Sequence, residues 1–202
     1  MNGWDVVANV TVQVVGDDSM MFQIPGTSIA EFQSDVSGIP SLEFRIRGTP
    51  EEEILDLQKN LIESGLEYDA VVTGAIRSDY QKTRIERMCH ELEKISFAPL
   101  WHNNPRSHLE ELYAHGFEVL ISSVSCEGLG KEWLGKKIDS KSLTELNYLS
   151  QEYGFNMDGE GGEYETIVVN APHFENRIEF EGDTHWDGVR GHIIFRNFSI
   201  SD

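Results

Sequence analysis

Three glycines and three glutamates share one seven-residue stretch, Gly159-Glu160-Gly161-Gly162-Glu163-Tyr164-Glu165. Crowded carboxylates repel one another unless something cationic is bound, and glycine lets the backbone approach a ligand closely. Glu160, Glu163 and Glu165 could hold Mg²⁺, ammonium or a quaternary ammonium, with Tyr164 offering an aromatic face to the last of these. The competing reading is a solvated acidic hairpin, and composition leaves both open.

A second candidate is Thr73-Gly74-Ala75-Ile76-Arg77-Ser78-Asp79-Tyr80-Gln81-Lys82-Thr83-Arg84. Gly74 follows the β-like run Ala70-Val71-Val72, and Ser78 can cap a helix whose first amides would face an anion. Arg77, Lys82 and Arg84 are three of only 16 basic residues. Their gathering points to phosphate or carboxylate recognition. The alternative is a surface helix on which Arg84 or Arg87 pairs with Glu86, Glu91 or Glu93.

Other chemistry is thinly represented. The 7 histidines form no His-x-x-x-His pair and the cysteines no Cys-x-x-Cys, so no zinc site is expected. Cys89 and Cys126 read as inert buried thiols, Cys126 being the better placed of the two for reaction. Trp101 and Trp133 read as packing residues, with the lining of a cleft as the alternative. No Walker-type phosphate loop, no Gly-x-Ser-x-Gly elbow and no dinucleotide fingerprint occurs.

The elements that must carry these residues alternate. A β-branched run over 5–15 predicts a strand buried on both faces, hence a parallel sheet, closed by a turn at Gly16-Asp17-Asp18-Ser19. Ser28 is placed to cap a short helix ending at Gly38, with Ile29, Phe32 and Val36 on one face, and a strand over 42–47 follows. Thr49-Pro50-Glu51-Glu52 reads as a capping hydroxyl, a first-turn proline and an N3 carboxylate, opening a helix to Gly65. Strand, glycine loop and helix over 70–92 complete an α/β pattern in which ligands sit at the carboxyl ends of strands. Character changes at Ala98-Pro99-Leu100-Trp101-His102-Asn103-Asn104-Pro105, which places a domain boundary between 1–98 and 99–202. Beyond it, helices over 106–115 and 142–153, and strands over 117–124, 166–170, 177–180 and 191–200, predict an α+β domain.

Charge and length bound the function. The chain has 202 residues, and 16 basic against 35 acidic side chains give a net charge of −19, which repels nucleic-acid backbones. Two cysteines and the absence of a basic and apolar leader predict a cytoplasmic protein. No apolar run approaches the ~20 residues of a membrane crossing.

Taken together, Val72-Thr73-Gly74-Ala75-Ile76-Arg77-Ser78-Asp79-Tyr80-Gln81 with Arg84-Ile85-Glu86, then Pro99-Leu100-Trp101, Trp133-Leu134-Gly135 and the Gly159 to Thr166 run resemble the diphthine-ammonia ligase family. Val10-Thr11-Val12, Met21-Phe22 and Gly38-Ile39-Pro40 extend the likeness over nearly the whole chain. The resemblance implies a PP-loop ATP pyrophosphatase with a Rossmann-like, adenine nucleotide alpha hydrolase-like parallel sheet and a smaller α+β C-terminal domain. It implies adenylation of the carboxylate of diphthine on translation elongation factor 2, then displacement of AMP by ammonia. ATP and Mg²⁺ are the implied cofactors. Val10, Thr11, Val12, Gly74, Ala75, Ser78, Tyr80, Gln81 and Arg84 would meet the nucleotide. Trp133, Gly161, Gly162, Tyr164 and Glu86 would meet the substrate, with Glu160, Glu163 and Glu165 catalytic.

One departure qualifies that likeness. The family carries a first strand, a Ser-Gly-Gly-Lys-Asp-Ser phosphate loop and a first helix ahead of the segment that begins here at Gly3-Trp4-Asp5, so a sheet lacking that strand and helix is expected. A truncated chain, half of a split ligase, or a non-catalytic nucleotide- or elongation-factor-binding module each fits. A second copy or a partner chain is expected to cover the exposed sheet edge.

Overall fold

The β-branched run that opens the chain becomes strand β1 (Asn9–Val15), which pairs in parallel with β2 (Ser41–Arg47). The computed structural model describes residues 3–15, 21–22, 28–47 and 49–201. The turn expected at 16–19 lies outside them, as do the side chains of Pro50 and Glu51. The strand is shorter and barer than expected. It begins at Asn9 rather than Asp5, and of its residues only Val12 is buried, because only β2 pairs with it among the described residues.

A second parallel pair joins β3 (Ala70–Val72) to β4 (Ile95–Phe97). The α/β character is as read, but the single parallel sheet is not. Among the described residues the two pairs stand as separate two-stranded sheets. They share a core with helices α2 (Pro50–Glu63) and α3 (Asp79–Glu91), in which Val12, Phe44 and Ile46 meet Leu57, Leu61, Ile85 and Met88. Residues 1–27 and 39–102 form this unit.

Helix α2 starts at Thr49 as expected, yet the capping box does not form. The Thr49 hydroxyl donates to the Glu52 carboxylate instead of accepting from a backbone amide. Glu52 is drawn aside by Arg47, whose Nη1 donates to it at 2.7 Å. The same guanidinium grips Asp56 with Nε at 2.9 Å and Nη2 at 2.7 Å, tying the end of β2 to α2.

The second unit comprises residues 28–38 and 103–202, and it is the larger of the two rather than the smaller. Helix α1 (Ile29–Ser37) belongs to it although it lies between β1 and β2 in sequence. Ile29 and Val36 of α1 bury against Leu120, Ile167, Val169, Ile178 and Phe198. Gln33 Nε2 donates to the Val168 carbonyl at 2.8 Å, and the Glu175 amide donates to the Val36 carbonyl at 2.7 Å. Ser28 does not cap the helix: its backbone is already helical and its hydroxyl accepts from no amide there.

The sheet of this unit is antiparallel, in the order β6 (Tyr164–Asn170), β5 (Glu118–Val124), β8 (Gly191–Ile200), β7 (Ile178–Trp186). Residues from α4 (Pro105–Ala114) and α5 (Ser140–Tyr153) join β5 and β6 in a further core that holds Leu109, Val119, Ile121, Trp133, Leu143 and Leu146. Helix α5 starts earlier than its apolar pattern suggests. Asp139 accepts from the amides of Lys141 and Ser142 while the Ser142 hydroxyl accepts from the Asp139 amide, which closes a capping box. No helix among the described residues is long and apolar enough to cross a membrane.

The Arg47 guanidinium beside Asp56 pulls that carboxyl down to about 2, first by direct hydrogen bonding. A carboxylate whose folded pKa lies below its unfolded value stabilises the fold above the unfolded value and loses that effect as pH falls toward the folded one. Urea titrations of the wild type and Asp56→Asn should therefore differ at pH 7 and converge as pH drops from about 4 toward 2. A difference that persists unchanged at pH 2 would show that the pair contributes nothing through charge.

Candidate functional site

The first group of candidate residues lies where β3 hands over to α3. Ser78 Oγ accepts from the Gln81 amide at 3.3 Å, so the cap read from the sequence is formed. Residues 73–78 are pinned at two places: the Thr73 amide donates to the Phe97 carbonyl at 3.0 Å, and the His102 amide donates to the Ile76 carbonyl at 2.8 Å. His102 takes a φ of 58°, and its ring stacks on Trp101 with centroids 4.8 Å apart. Lys82 Nζ lies 5.0 Å from the Trp101 ring centre. Around Gly74 a Cβ would meet nothing within 4 Å, so the glycine leaves open space beside the loop.

The basic residues here are engaged within the chain. Arg84 lays its guanidinium 3.4 Å from the Tyr80 ring centre, while Lys82 pairs with Glu86 one turn on and Arg87 with Glu91 at 3.3 Å. The surface-helix pairing is thus formed as expected between Arg87 and Glu91, while Glu86 takes Lys82 and Arg84 takes the Tyr80 ring, since residues i and i+4 are the neighbours on a helix face. Gln81 Nε2 donates to the Met21 carbonyl at 3.1 Å, and the buried Tyr80 hydroxyl finds no hydrogen-bond partner among the described residues. Val10, Thr11 and Val12 lie on β1 in the same unit. Of the substrate candidates, Glu86 is an exposed helix residue of this unit and the rest belong to the other.

The second group surrounds the acidic loop between α5 and β6. Ser125, at the end of β5, holds that loop: its amide donates to the Glu163 carbonyl at 2.8 Å and its hydroxyl to the Gly162 carbonyl. Two tight turns follow within the loop, from the Gly159 amide to the Asn156 carbonyl and from the Gly162 amide to the Gly159 carbonyl. Glu163 turns inward. Its Oε1 accepts from both the backbone amide and the Nδ2 of Asn156 at 2.8 Å each, while Oε2 is buried with no hydrogen-bond partner among the described residues. A buried acceptor left open in this way is the kind of group that a donor from outside satisfies. At Gly161 a Cβ would stand 2.7 Å from that carboxylate, which explains the glycine.

Tyr164 does not offer the open aromatic face read from the sequence. It is 3% exposed, its hydroxyl donates to the Met157 carbonyl at 2.6 Å, and its ring packs under Gly159. Burial, with the charges of Asp158 and Glu163, pushes its hydroxyl pKa well up. Trp133 is likewise enclosed at 1% exposure, with Lys136 Nζ 3.7 Å from its ring centre. Both residues belong to the same buried core, with Met157. Among the described residues no group of three or more His, Cys, Asp or Glu side chains is arranged to hold a metal ion. Glu160, Glu163 and Glu165 therefore make no three-carboxylate metal cage, because Glu163 faces Asn156.

Sequence reasoning missed Asn156 and Ser125. Nothing in their spacing marks them, since each reaches the loop only through the turn and the β5–β6 pairing.

Comparison with known proteins matches both parts of the chain to one family. A family model described as the diphthamide synthase N-terminal domain matches residues 1–96, and one described as the C-terminal domain matches 104–200. A diphthine-ammonia ligase of Danio rerio is 32% identical over 175 residues, covering 80% of this chain and 68% of the relative. The chain belongs to the diphthine-ammonia ligase family. The Homo sapiens ligase is 31% identical with 80% and 65% covered, and the Saccharomyces cerevisiae ligase is 28% identical with 79% and 27% covered. This family member thus spans about two thirds of the length of its vertebrate relatives.

Burial, reinforced by the Glu163 charge, pushes the Cys126 thiol up to about 11. At pH 8 its thiolate fraction, and with it the rate of alkylation by iodoacetamide, should fall about a hundredfold below that of an ordinary cysteine. Alkylation of Cys126 at the rate of free cysteine, followed by peptide mass spectrometry, would contradict this.

Proposed function

We propose that this chain takes part in the ATP-dependent amidation of diphthine on elongation factor 2, in the cytoplasm. The diphthine carboxylate attacks the α-phosphorus of ATP, forming a carboxyl-adenylate as the bond to pyrophosphate breaks. Ammonia then adds to the activated carbonyl, AMP leaves, and a proton is released with the new amide. Activation is needed because a carboxylate oxygen leaves as AMP far more readily than as oxide.

The observation that carries this reading is the Glu163 carboxylate. One oxygen is fixed by Asn156 and the other is buried and open, which holds a negative charge at one place beneath the acidic loop. Ammonium and the trimethylammonium of diphthine are both cations. Preorganised charge of this kind favours a cation over water, since the loop does not have to reorganise to receive it. Glu160 and Glu165 flank it in sequence and share the task, while Gly161 and Gly162 give the chain its close turn and Tyr164 and Trp133 support it from below. Within the first unit, Ser78 caps α3 and Tyr80, Gln81 and Arg84 lie on its first turns, after the loop of Gly74 and Ala75, with open space beside Gly74. That setting suits the nucleotide phosphates, with Val10, Thr11 and Val12 toward adenine. Magnesium would arrive on those phosphates, as Mg²⁺ commonly does, rather than in a cage of protein ligands.

A second reading is favoured by the internal engagement of Arg84 with Tyr80 and of Lys82 with Glu86. If these contacts persist with nucleotide present, the chain is a binding module or one subunit of a split ligase. The two readings differ in one product. Incubation with MgATP, ammonium and diphthine-bearing elongation factor should release AMP and pyrophosphate in the first case and leave ATP intact in the second.

Glu163→Gln can keep the bonds to Asn156 through its amide oxygen but removes the charge. It should leave the thermal midpoint nearly unchanged while raising the KM for ammonium or diphthine, and an unchanged KM would remove Glu163 from substrate capture. Arg84→Ala should weaken MgATP binding by about 1.5 to 3 kcal/mol, the range for a hydrogen bond to a charged group, in calorimetric titration. Equal affinity would assign Arg84 to the helix surface alone.

A further inference from the structure

Among the described residues, only Glu93 and His102 carry a side chain on a left-handed backbone, with φ of 55° and 58°. The first has a local cause. Beyond the end of α3 the Glu93 amide donates to the His90 carbonyl at 3.2 Å and the Lys94 amide to the Cys89 carbonyl at 2.8 Å, the double closure with which helices commonly stop. His102 closes no helix, since it follows β4 and α4 begins only at Pro105. A glycine would hold this conformation at less steric cost, so the ring is present in spite of the backbone. A backbone of this kind persists where its surroundings over-determine it, and such places cluster at functional sites.

The surroundings of His102 are specific. Its ring lies on the Trp101 ring, with centroids 4.8 Å apart and planes 22° from parallel. Trp101 is itself anchored, because its amide donates to the Ala98 carbonyl at 3.1 Å and Lys82 Nζ stands 5.0 Å from its ring centre. The left-handed φ lets the His102 amide face one way while the chain leaves in another, and that amide donates to the Ile76 carbonyl at 2.8 Å. Ile76 lies within the loop from Thr73 to Ser78. One end of the loop is tied by the Thr73 amide to the Phe97 carbonyl, the other by the Ser78 cap on α3. Between them run Gly74, beside open space, and Ala75, neither of them in a helix or a strand. The His102 amide holds the middle.

We propose that His102 is a positioning residue for this loop: its stack on Trp101 keeps the backbone left-handed, and its amide thereby holds Ile76 so that the loop keeps the shape in which nucleotide phosphates meet it. The inference rests on the reading of Gly74 to Arg84 as the nucleotide side of the chain. The ring need touch no ligand. A loop already held in its binding shape loses less conformational freedom on binding than one that must first be ordered, and the difference appears as affinity. Stacking suits the task, because two flat rings restrict each other without a buried charge.

His102→Gly separates the ring from the backbone, since it suits the φ and keeps the amide. Its thermal midpoint should stay close to that of the wild type, while MgATP binding in calorimetric titration should weaken about fivefold. Protection of the amide at position 102 against hydrogen exchange should fall about tenfold. His102→Phe keeps a flat ring and should restore both. The proposal is overturned if His102→Gly binds MgATP as tightly as the wild type or keeps full protection at position 102, or if His102→Phe is as impaired as His102→Gly. Should His102→Gly fail to fold by circular dichroism, Trp101→Leu removes the other half of the stack and is held to the same outcomes. A wild type that binds no MgATP overturns the nucleotide reading and this role with it, whereas equal binding by the wild type and every variant overturns this role alone.

Discussion

The antiparallel pairing of β5 with β6 is the constraint on which the candidate substrate site depends. It sets Val124 opposite Tyr164 and Ser123 opposite Glu165, so that the chain leaving β5 at Ser125 lies beside the chain entering β6 at Glu163. Ser125 can then hold two successive carbonyls of the acidic loop. With those held, Glu163 has one place to go, inward to Asn156. The register irregularity between Ile121 and Ser123 falls just before this junction, and bulges commonly redirect side chains near functional sites. A charge that would otherwise wander in solvent is thereby fixed.

Electrostatics acts at a second level. With 35 acidic and 16 basic residues, every cation has many carboxylates to choose from, and the structure spends cations on specific joints. Arg47 ties β2 to α2 through Asp56 and Glu52, while Arg177 and Lys137 meet at Glu118. Most of these pairs are exposed and weak individually, so they set local geometry more than they stabilise the fold. Arg84 and Lys82 show the same economy beside the candidate nucleotide loop, where an aromatic ring and a carboxylate hold them.

Legibility followed the range of the interactions. Strand-loop-helix order, the Ser78 cap, the Gly38 stop and the acidic glycine loop were readable because each depends on neighbours a few residues apart. The Thr49 box failed because Arg47 competes for Glu52, and Ser28 failed because its backbone had already turned helical. Tyr164 was legible as aromatic but not as buried, since burial is decided by Met157 and Gly159 closing over it. The transfer of α1 to the antiparallel sheet left no mark in its own residues: Ile29, Phe32 and Val36 make an apolar face, but an apolar face does not name its partner.

By itself, then, the sequence determined the alternation of elements, the family and the chemical character of two loops, because these rest on residue type and short spacing. Tertiary structure alone decided that the parallel strands stand in two pairs among the described residues, and that Glu163 is turned inward onto Asn156. Those outcomes depend on which distant segments come to lie side by side, and the free energy that selects them is summed over whole packed surfaces rather than carried by any one residue.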